Sequence, residues 1–231
     1  MTQEGGTFNI GIPIYVGVDL LDVAAPYEIF NWMKAALKDE TAVTVQLLSE
    51  TKKSVLTRDG LSLSPQNVFG RTPQLDLLWV PGGNPDDLER MMHDSVYIDF
   101  LRQQSKRATF VTSVCEGALL LASAGLLDGF KATTHWAFIP CLKCYPKIKI
   151  AKGYPRFVVN KFKDAANGRT RYVVTGGGIS SGLDEALELV KLIAGKKIAE
   201  SVQTTTQYFP EPPVKGKINR SKKCPLSPPQ G

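Results

Sequence analysis

The run Thr109-Phe-Val-Thr-Ser-Val-Cys115-Glu-Gly-Ala-Leu-Leu-Leu-Ala122 stops a β-branched, apolar stretch at a cysteine. A small-residue, Leu-rich stretch with helical propensity follows at once. This is the layout of a nucleophile on a sharp strand-to-helix turn, with the sulfur above the first turn of the helix. There the helix dipole favours a thiolate, and the thiolate is the attacking species. Gly117 suits such a turn because the crowded backbone leaves little room for a Cβ. The competing reading is a buried structural cysteine, since free Cys is among the most buried residue types.

Other residues can supply what a sulfur nucleophile needs. Gly82 and Gly83, after the apolar run Asp76-Leu-Leu-Trp-Val80, can turn backbone N–H groups toward an anion, as can the amide of Glu116. Either glycine can also simply make a tight turn. Asp22, four residues before Pro26, is a candidate acid/base facing Cys115 or a helix-capping residue, and Asp19 is its rival in both roles. Ionised and close, the Glu116 side chain disfavours the thiolate; in a first helical turn it is ordinary capping chemistry. His135 can orient a catalytic group or act as the base of a Cys–His pair, or be a partly buried residue beside Trp136. Gly178 and Ile179, in Gly176-Gly-Gly-Ile-Ser-Ser-Gly182, are supporting candidates before a helix. That stretch lacks the Lys of a P-loop and the G-x-G-x-x-G spacing, which argues against a nucleotide. Ser181 reads as the N-cap of the following helix, with Asp184 in a capping-box position.

The elements that must position these groups alternate. Strands are expected at Phe8–Ile14, Val43–Leu48, Asp76–Val80, the cysteine run, Ala132–His135 and Arg171–Thr175. Helices are expected at Asp22–Leu37 and Asp94–Ser105. In a third, Leu183, Ala186, Leu187, Val190, Ile193 and Ala194 share one face. Alternation of this kind implies an α/β fold, a doubly wound, mainly parallel sheet with helices on both faces. Ligands gather at the carboxyl ends of such strands. Asp19–Asp22, Gly82–Gly83, Cys115–Glu116 and Gly176–Ser181 all follow strands, so one sheet edge can collect them.

The bulk numbers frame this site. At 231 residues, 43% hydrophobic and 22% charged, the chain is an ordinary globular protein with a sizeable core. The division expected is one domain over residues 1–210 and a basic, Pro-containing, flexible tail over 211–231. Five basic residues against Glu211 place about +4 of the net +6 in that tail. A solvated end is the reading for it, with no nucleic acid or membrane partner. Cys115, Cys141, Cys144 and Cys224 do not resemble a disulfide framework. Cys141-x-x-Cys144 lacks the second ligand pair of a structural zinc site, and His93 and His135 are the only histidines, so no metal is expected. No signal peptide or span of ~20 apolar residues is visible, which makes the cytoplasm the expected location.

Taken together the motifs resemble the ThiJ/PfpI superfamily, relatives of the class I glutamine amidotransferases, and within it the isonitrile hydratase branch. The matching pieces are Asp22-Val-Ala-Ala-Pro26-Tyr-Glu, Val80-Pro-Gly-Gly83, Thr112-Ser-Val-Cys115-x-Gly-Ala, Ala124-Gly-Leu-Leu-Asp-Gly129, Ala132-Thr-Thr-His135-Trp136 and Thr175-Gly-Gly-Gly-Ile-Ser-Ser-Gly182. The resemblance implies a flavodoxin-like fold, a homodimer, a small-molecule substrate and no cofactor. It implies Cys115 as nucleophile and Asp22 as the carboxylate beside it, converting an isonitrile and water to an N-substituted formamide. Glu116 departs from the pattern: the hydratases carry Thr there, and protease- and glyoxalase-like members carry His. The missing Cys–His pair argues against a peptidase. Two alternatives remain: a non-catalytic or redox-sensing domain, and a glyoxalase- or deglycase-like activity on small aldehydes.

Overall fold

A parallel strand covered on both faces reads as an unbroken apolar run, and two such runs form the middle of the sheet. The computed structural model describes residues 6–38 and 41–226. The ends of the expected domain and tail, residues 1–5 and 227–231, lie outside the described residues. The chain runs through β1 (Phe8–Pro13), α1 (Leu20–Leu37), β2 (Val43–Ser49), three two-residue strands β3 (Val55–Leu56), β4 (Ser62–Leu63) and β5 (Asn67–Val68), and then β6 (Leu77–Val80). It continues through α2 (Pro85–His93), α3 (Ser95–Ser105), β7 (Phe110–Ser113), α4 (Gly117–Ser123), β8 (Lys131–Ala132), α5 (Ile139–Leu142) and β9 (Lys149–Ile150). The last elements are β10 (Phe157–Lys163), β11 (Thr170–Gly176), α6 (Ser181–Ala194) and α7 (Lys196–Thr205).

Seven strands make one sheet in the order β10-β11-β7-β6-β1-β2-β5. All neighbours are parallel except β10, which pairs antiparallel with β11 at the edge. β6 and β7 are buried at every residue. Helices α1, α6 and α7 pack together, as do α2, α3 and α4, and the two groups cover the sheet. This is the doubly wound, flavodoxin-like arrangement that the alternation predicts. The chain builds outward from β1 to β2 and β5, then returns to place β6 on the other side of β1. The strand order therefore reverses between β1 and β6. Register keeps the carboxyl ends level, with Val80 beside Ser113 and Ser113 beside Thr175.

Several sequence-level expectations are corrected. The short strand expected over Ala132–His135 is only Lys131–Ala132, because His135 instead caps a 3-10 turn through its Nδ1. α2, α7 and β10 were not expected: α2 is short and mostly polar, and the alternation of β10 is half-buried and interrupted by lysines. Helix α6 buries Ala186 and Val190 of the expected face and packs Leu183, Leu187, Ile193 and Ala194 partly buried against the core, but its buried side extends to Gly182, Glu185 and Leu189. Ser180 holds its N-cap position; the Ser181 hydroxyl instead donates to the Gly178 carbonyl at 2.8 Å. Asp184 is drawn away from any capping box by Arg156 and by the Tyr208 hydroxyl, which donates to it at 2.8 Å.

The cysteines are also corrected. Cys141 is disulfide-bonded to Cys224, across 83 residues, while Cys144 is free and exposed. The C-x-x-C pair is therefore not a dithiol. The partner comes from the basic tail, and so great a separation leaves no local spacing to read. Residues 211–226 carry no helix or strand, yet the tail is not a free end: Cys224 ties it down and Leu226 is buried.

Candidate active site

Cys115 sits where β7 ends and α4 begins, with φ +55°. A non-glycine residue in that left-handed region is uncommon, and it persists only where the surroundings hold it. Here both of its backbone groups are held. Its N–H donates to the Gly177 carbonyl at 2.8 Å, and its carbonyl accepts from the Thr134 hydroxyl at 2.7 Å. Gly117 is required next, because a Cβ there would stand 2.1 Å from the Val80 carbonyl oxygen. The elbow expected from the sequence is present.

Asp22 is placed by a proline. Pro26 lies inside α1 and has no N–H, so the carbonyl four residues earlier loses its helical donor. That carbonyl belongs to Asp22, and the buried Trp79 indole donates to it at 2.9 Å. The Asp22 side chain is fully buried. Its Oδ2 accepts from the Gly82 N–H at 2.9 Å, and its Oδ1 has no protein partner among the described residues. The Gly82 amide, expected as an anion donor, is thus already engaged in holding Asp22. Gly82 must be glycine for a further reason: a Cβ would come within 2.5 Å of Glu116 Oε2 and 3.0 Å of Asp22 Oδ2. Gly83 plays a packing part, close against the Gly17 carbonyl and the Tyr15 hydroxyl.

The Cys115 sulfur and one carboxylate oxygen from each of Asp19, Asp22 and Glu116 lie within 4.8 Å of one another. All four residues are buried. At an effective dielectric of about 20, two full charges at that separation repel by about 3–4 kcal/mol, so the cluster cannot ionise fully. Burial raises the Asp22 carboxyl well above the usual carboxylate range, and the neighbouring Glu116 and Asp19 add to it. Burial pushes Glu116 up to about 7. Asp19 is raised by burial and restrained by Arg58, which donates to it at 3.1 Å from a half-exposed position. The site therefore stores protons at neutral pH.

The thiol follows the same physics. Burial, then the Asp22 and Glu116 carboxylates, hold the Cys115 thiol well above its ordinary value. The expectation of a thiolate stabilised by the helix is corrected: three carboxylates and a 1% exposed residue outweigh a seven-residue helix. His135 does not reach the sulfur as a base. Its Nδ1 faces Glu116 Oε1 at 3.8 Å, and burial lowers its basicity. His135 packs edge-on against Gly178, where a Cβ would approach its ring to 2.7 Å.

A cavity of about 410 Å³ lies beside this corner, lined by neighbours of Cys115 rather than by Cys115, Asp19, Asp22 or Glu116 themselves. Thr134 and Gly177, the two residues that grip the Cys115 backbone, line it along with His135 and Gly178. Its rim is apolar at Leu21, Trp136, Ile179 and Ile218, and polar at Arg156. Sequence reasoning missed Arg58, Thr134, Trp79 and Glu185. Arg58 lies in a turn without pattern, and Thr134 sits inside a motif without chemistry of its own. Glu185 is polar and lies outside the apolar face expected of α6. Among the described residues both its oxygens are fully buried and unpartnered, and burial holds its carboxyl well above the usual range.

Residues 9–192 match the model of the DJ-1/PfpI family. The chain is 37% identical over 205 residues to the isonitrile hydratase of Pseudomonas putida, covering 89% of this chain and 80% of that enzyme. It is 25% identical over 206 residues to the HTH-type transcriptional regulator GbdR of Pseudomonas aeruginosa, spanning about half (52%) of the regulator's length and 89% of its own. Among solved structures, a ThiJ/PfpI family protein from Pseudomonas syringae superimposes with a TM-score of 0.77 at 28% identity, covering 93% of this chain and 84% of the other.

Proposed function

The chain belongs to the DJ-1/PfpI family, and on that premise we propose that it is a cofactor-independent hydratase that adds water to isonitriles, with Cys115 as nucleophile and Asp22 as acid/base. The observation that carries the reading is the cysteine with positive φ buried against three carboxyl groups. A thiolate at rest would suit oxidation chemistry; a protonated thiol beside a proton store suits addition across a carbon.

The terminal carbon of an isonitrile needs both a nucleophile and a proton. The sulfur forms a bond to that carbon while its own proton passes to the carboxylate cluster. Asp22 Oδ1, which has no other partner, delivers a proton to the same carbon. The product is a thioimidate, R–N=CH–S–Cys115, in which the S–H has added across the carbon. Asp22, now a carboxylate, takes a proton from water as the water attacks. The cluster passes the proton it took from the thiol to the nitrogen, the C–S bond breaks as the hydroxyl proton moves to the sulfur, and the N-substituted formamide leaves with the thiol restored. Atoms balance as isonitrile plus water. An isonitrile ends in a narrow, linear group, which suits a sulfur in a residue only 1% exposed. Glu116, where the hydratases carry Thr, keeps one more proton in the cluster.

The test is direct. Purified protein is mixed with cyclohexyl isonitrile and formamide release is followed by proton NMR, alongside Cys115→Ala. The proposal predicts release by the wild type and none above background from the variant. Equal rates from the two proteins would refute it.

A further inference from the structure

The tail that leaves α7 crosses to the mouth of the cavity and is pinned beyond it. Ile218 lines the cavity, and six residues later Cys224 is bonded to Cys141 in α5. α5 comes shortly after His135 and Trp136, which line the same cavity. Among the described residues, 211–226 make no hydrogen bond to the rest of the chain; Ser221 bonds within the tail to Lys223. Most of the segment is exposed, with Val214 at 75% and Ile218 at 53%. One covalent bond and the burial of Leu226 thus hold a strap that is otherwise unattached.

We propose that this strap is a pinned wall of the substrate cavity. Ile218 closes an apolar subsite with Leu21, Trp136 and Ile179 that takes the carbon substituent of the isonitrile, and the Cys141–Cys224 bond keeps it there. The identity of the ligand rests on the hydratase reading; the wall itself does not. The strap contributes Ile218 to the lining, which also holds the apolar Leu21, Trp136 and Ile179, so the subsite favours bulky alkyl or aryl substituents over methyl. Opening the bond removes the wall. A dithiol reductant does this by exchange: it ends as a cyclic disulfide, and Cys141 and Cys224 end as two thiols.

The experiment compares Ile218→Ser, Cys224→Ser and the off-cavity control Val214→Ser with the wild type. Two quantities are read: the ratio of kcat/KM for cyclohexyl over methyl isonitrile, and the rate of Cys115 alkylation by iodoacetamide, resolved from Cys144 by peptide mass spectrometry. The ratio should fall about fivefold or more in Ile218→Ser and Cys224→Ser, mainly through KM, since loss of apolar contact weakens binding rather than chemistry. Dithiothreitol should reproduce the Cys224→Ser value, and alkylation of Cys115 should quicken severalfold in both variants. A ratio and an alkylation rate matching Val214→Ser would overturn the proposal. Absence of all isonitrile turnover would remove the hydratase reading, while the alkylation rates would still decide the wall.

Discussion

Replacing Glu116 by Gln changes one charge at the centre of the cluster and leaves the shape almost intact. Glu116 is raised from its ordinary 4.5 to about 7, principally by burial. Between those two values the native protein keeps a proton that the unfolded chain has already released. Stability contributed by this group is therefore lost as pH rises through that window, and is flat above it. At about 1.4 kcal/mol per pH unit, a fully ionised Glu116 costs the fold about 3 kcal/mol. Glu116→Gln should thus be more stable than the wild type by about 3 kcal/mol at pH 8, and by less than about 1 kcal/mol at pH 5. Urea denaturation at the two pH values reads both differences. The same substitution removes a neighbouring negative charge from Cys115, so alkylation of the thiol at pH 8 should quicken. A stability difference that is the same at pH 5 and pH 8 would show that Glu116 ionises at its ordinary pH, and the stored-proton argument would fail.

Further outcomes follow from individual contacts. Gly117→Ala would drive a Cβ to 2.1 Å from the Val80 carbonyl oxygen and should cost about 2–4 kcal/mol, read as a lower urea midpoint. Glu185→Met removes a buried carboxyl with no partner on either oxygen among the described residues and should raise stability at neutral pH by about 1–3 kcal/mol. A drop instead would mean that Glu185 has a partner in solution. Asp22→Asn keeps the size and the acceptor for the Gly82 N–H but cannot cycle a proton, so kcat should fall about 10²–10⁴-fold with little change in midpoint.

Much of this arrangement can be read from the chain because its signals are local. The strand ending in Cys115, the glycine two residues on, and the Pro26 spacing from Asp22 each express a steric or hydrogen-bonding need of a single turn. The parallel sheet follows from alternation, and its edge gathers the site residues by topology alone. What escaped the sequence is long-range. The Trp79 indole reaches the Asp22 carbonyl across 57 positions, and Arg58 reaches Asp19 across 39. The tail is bonded to α5 across 83. The protonation of the thiol escaped for a different reason. A helix terminus predicts a thiolate, but the count of carboxylates around the sulfur appears only when the ends of β1 and β7 meet across β6.

The most direct test follows Cys115 itself during turnover. Rapid quenching of the wild type with cyclohexyl isonitrile should show a mass gain of one whole isonitrile molecule, mapped to the Cys115 peptide, and Asp22→Asn, which lacks the proton that bond formation needs, should gain it far more slowly. Formamide release with no adduct on that peptide, and undiminished release from Cys115→Ala, would place the chemistry away from the sulfur and contradict the account.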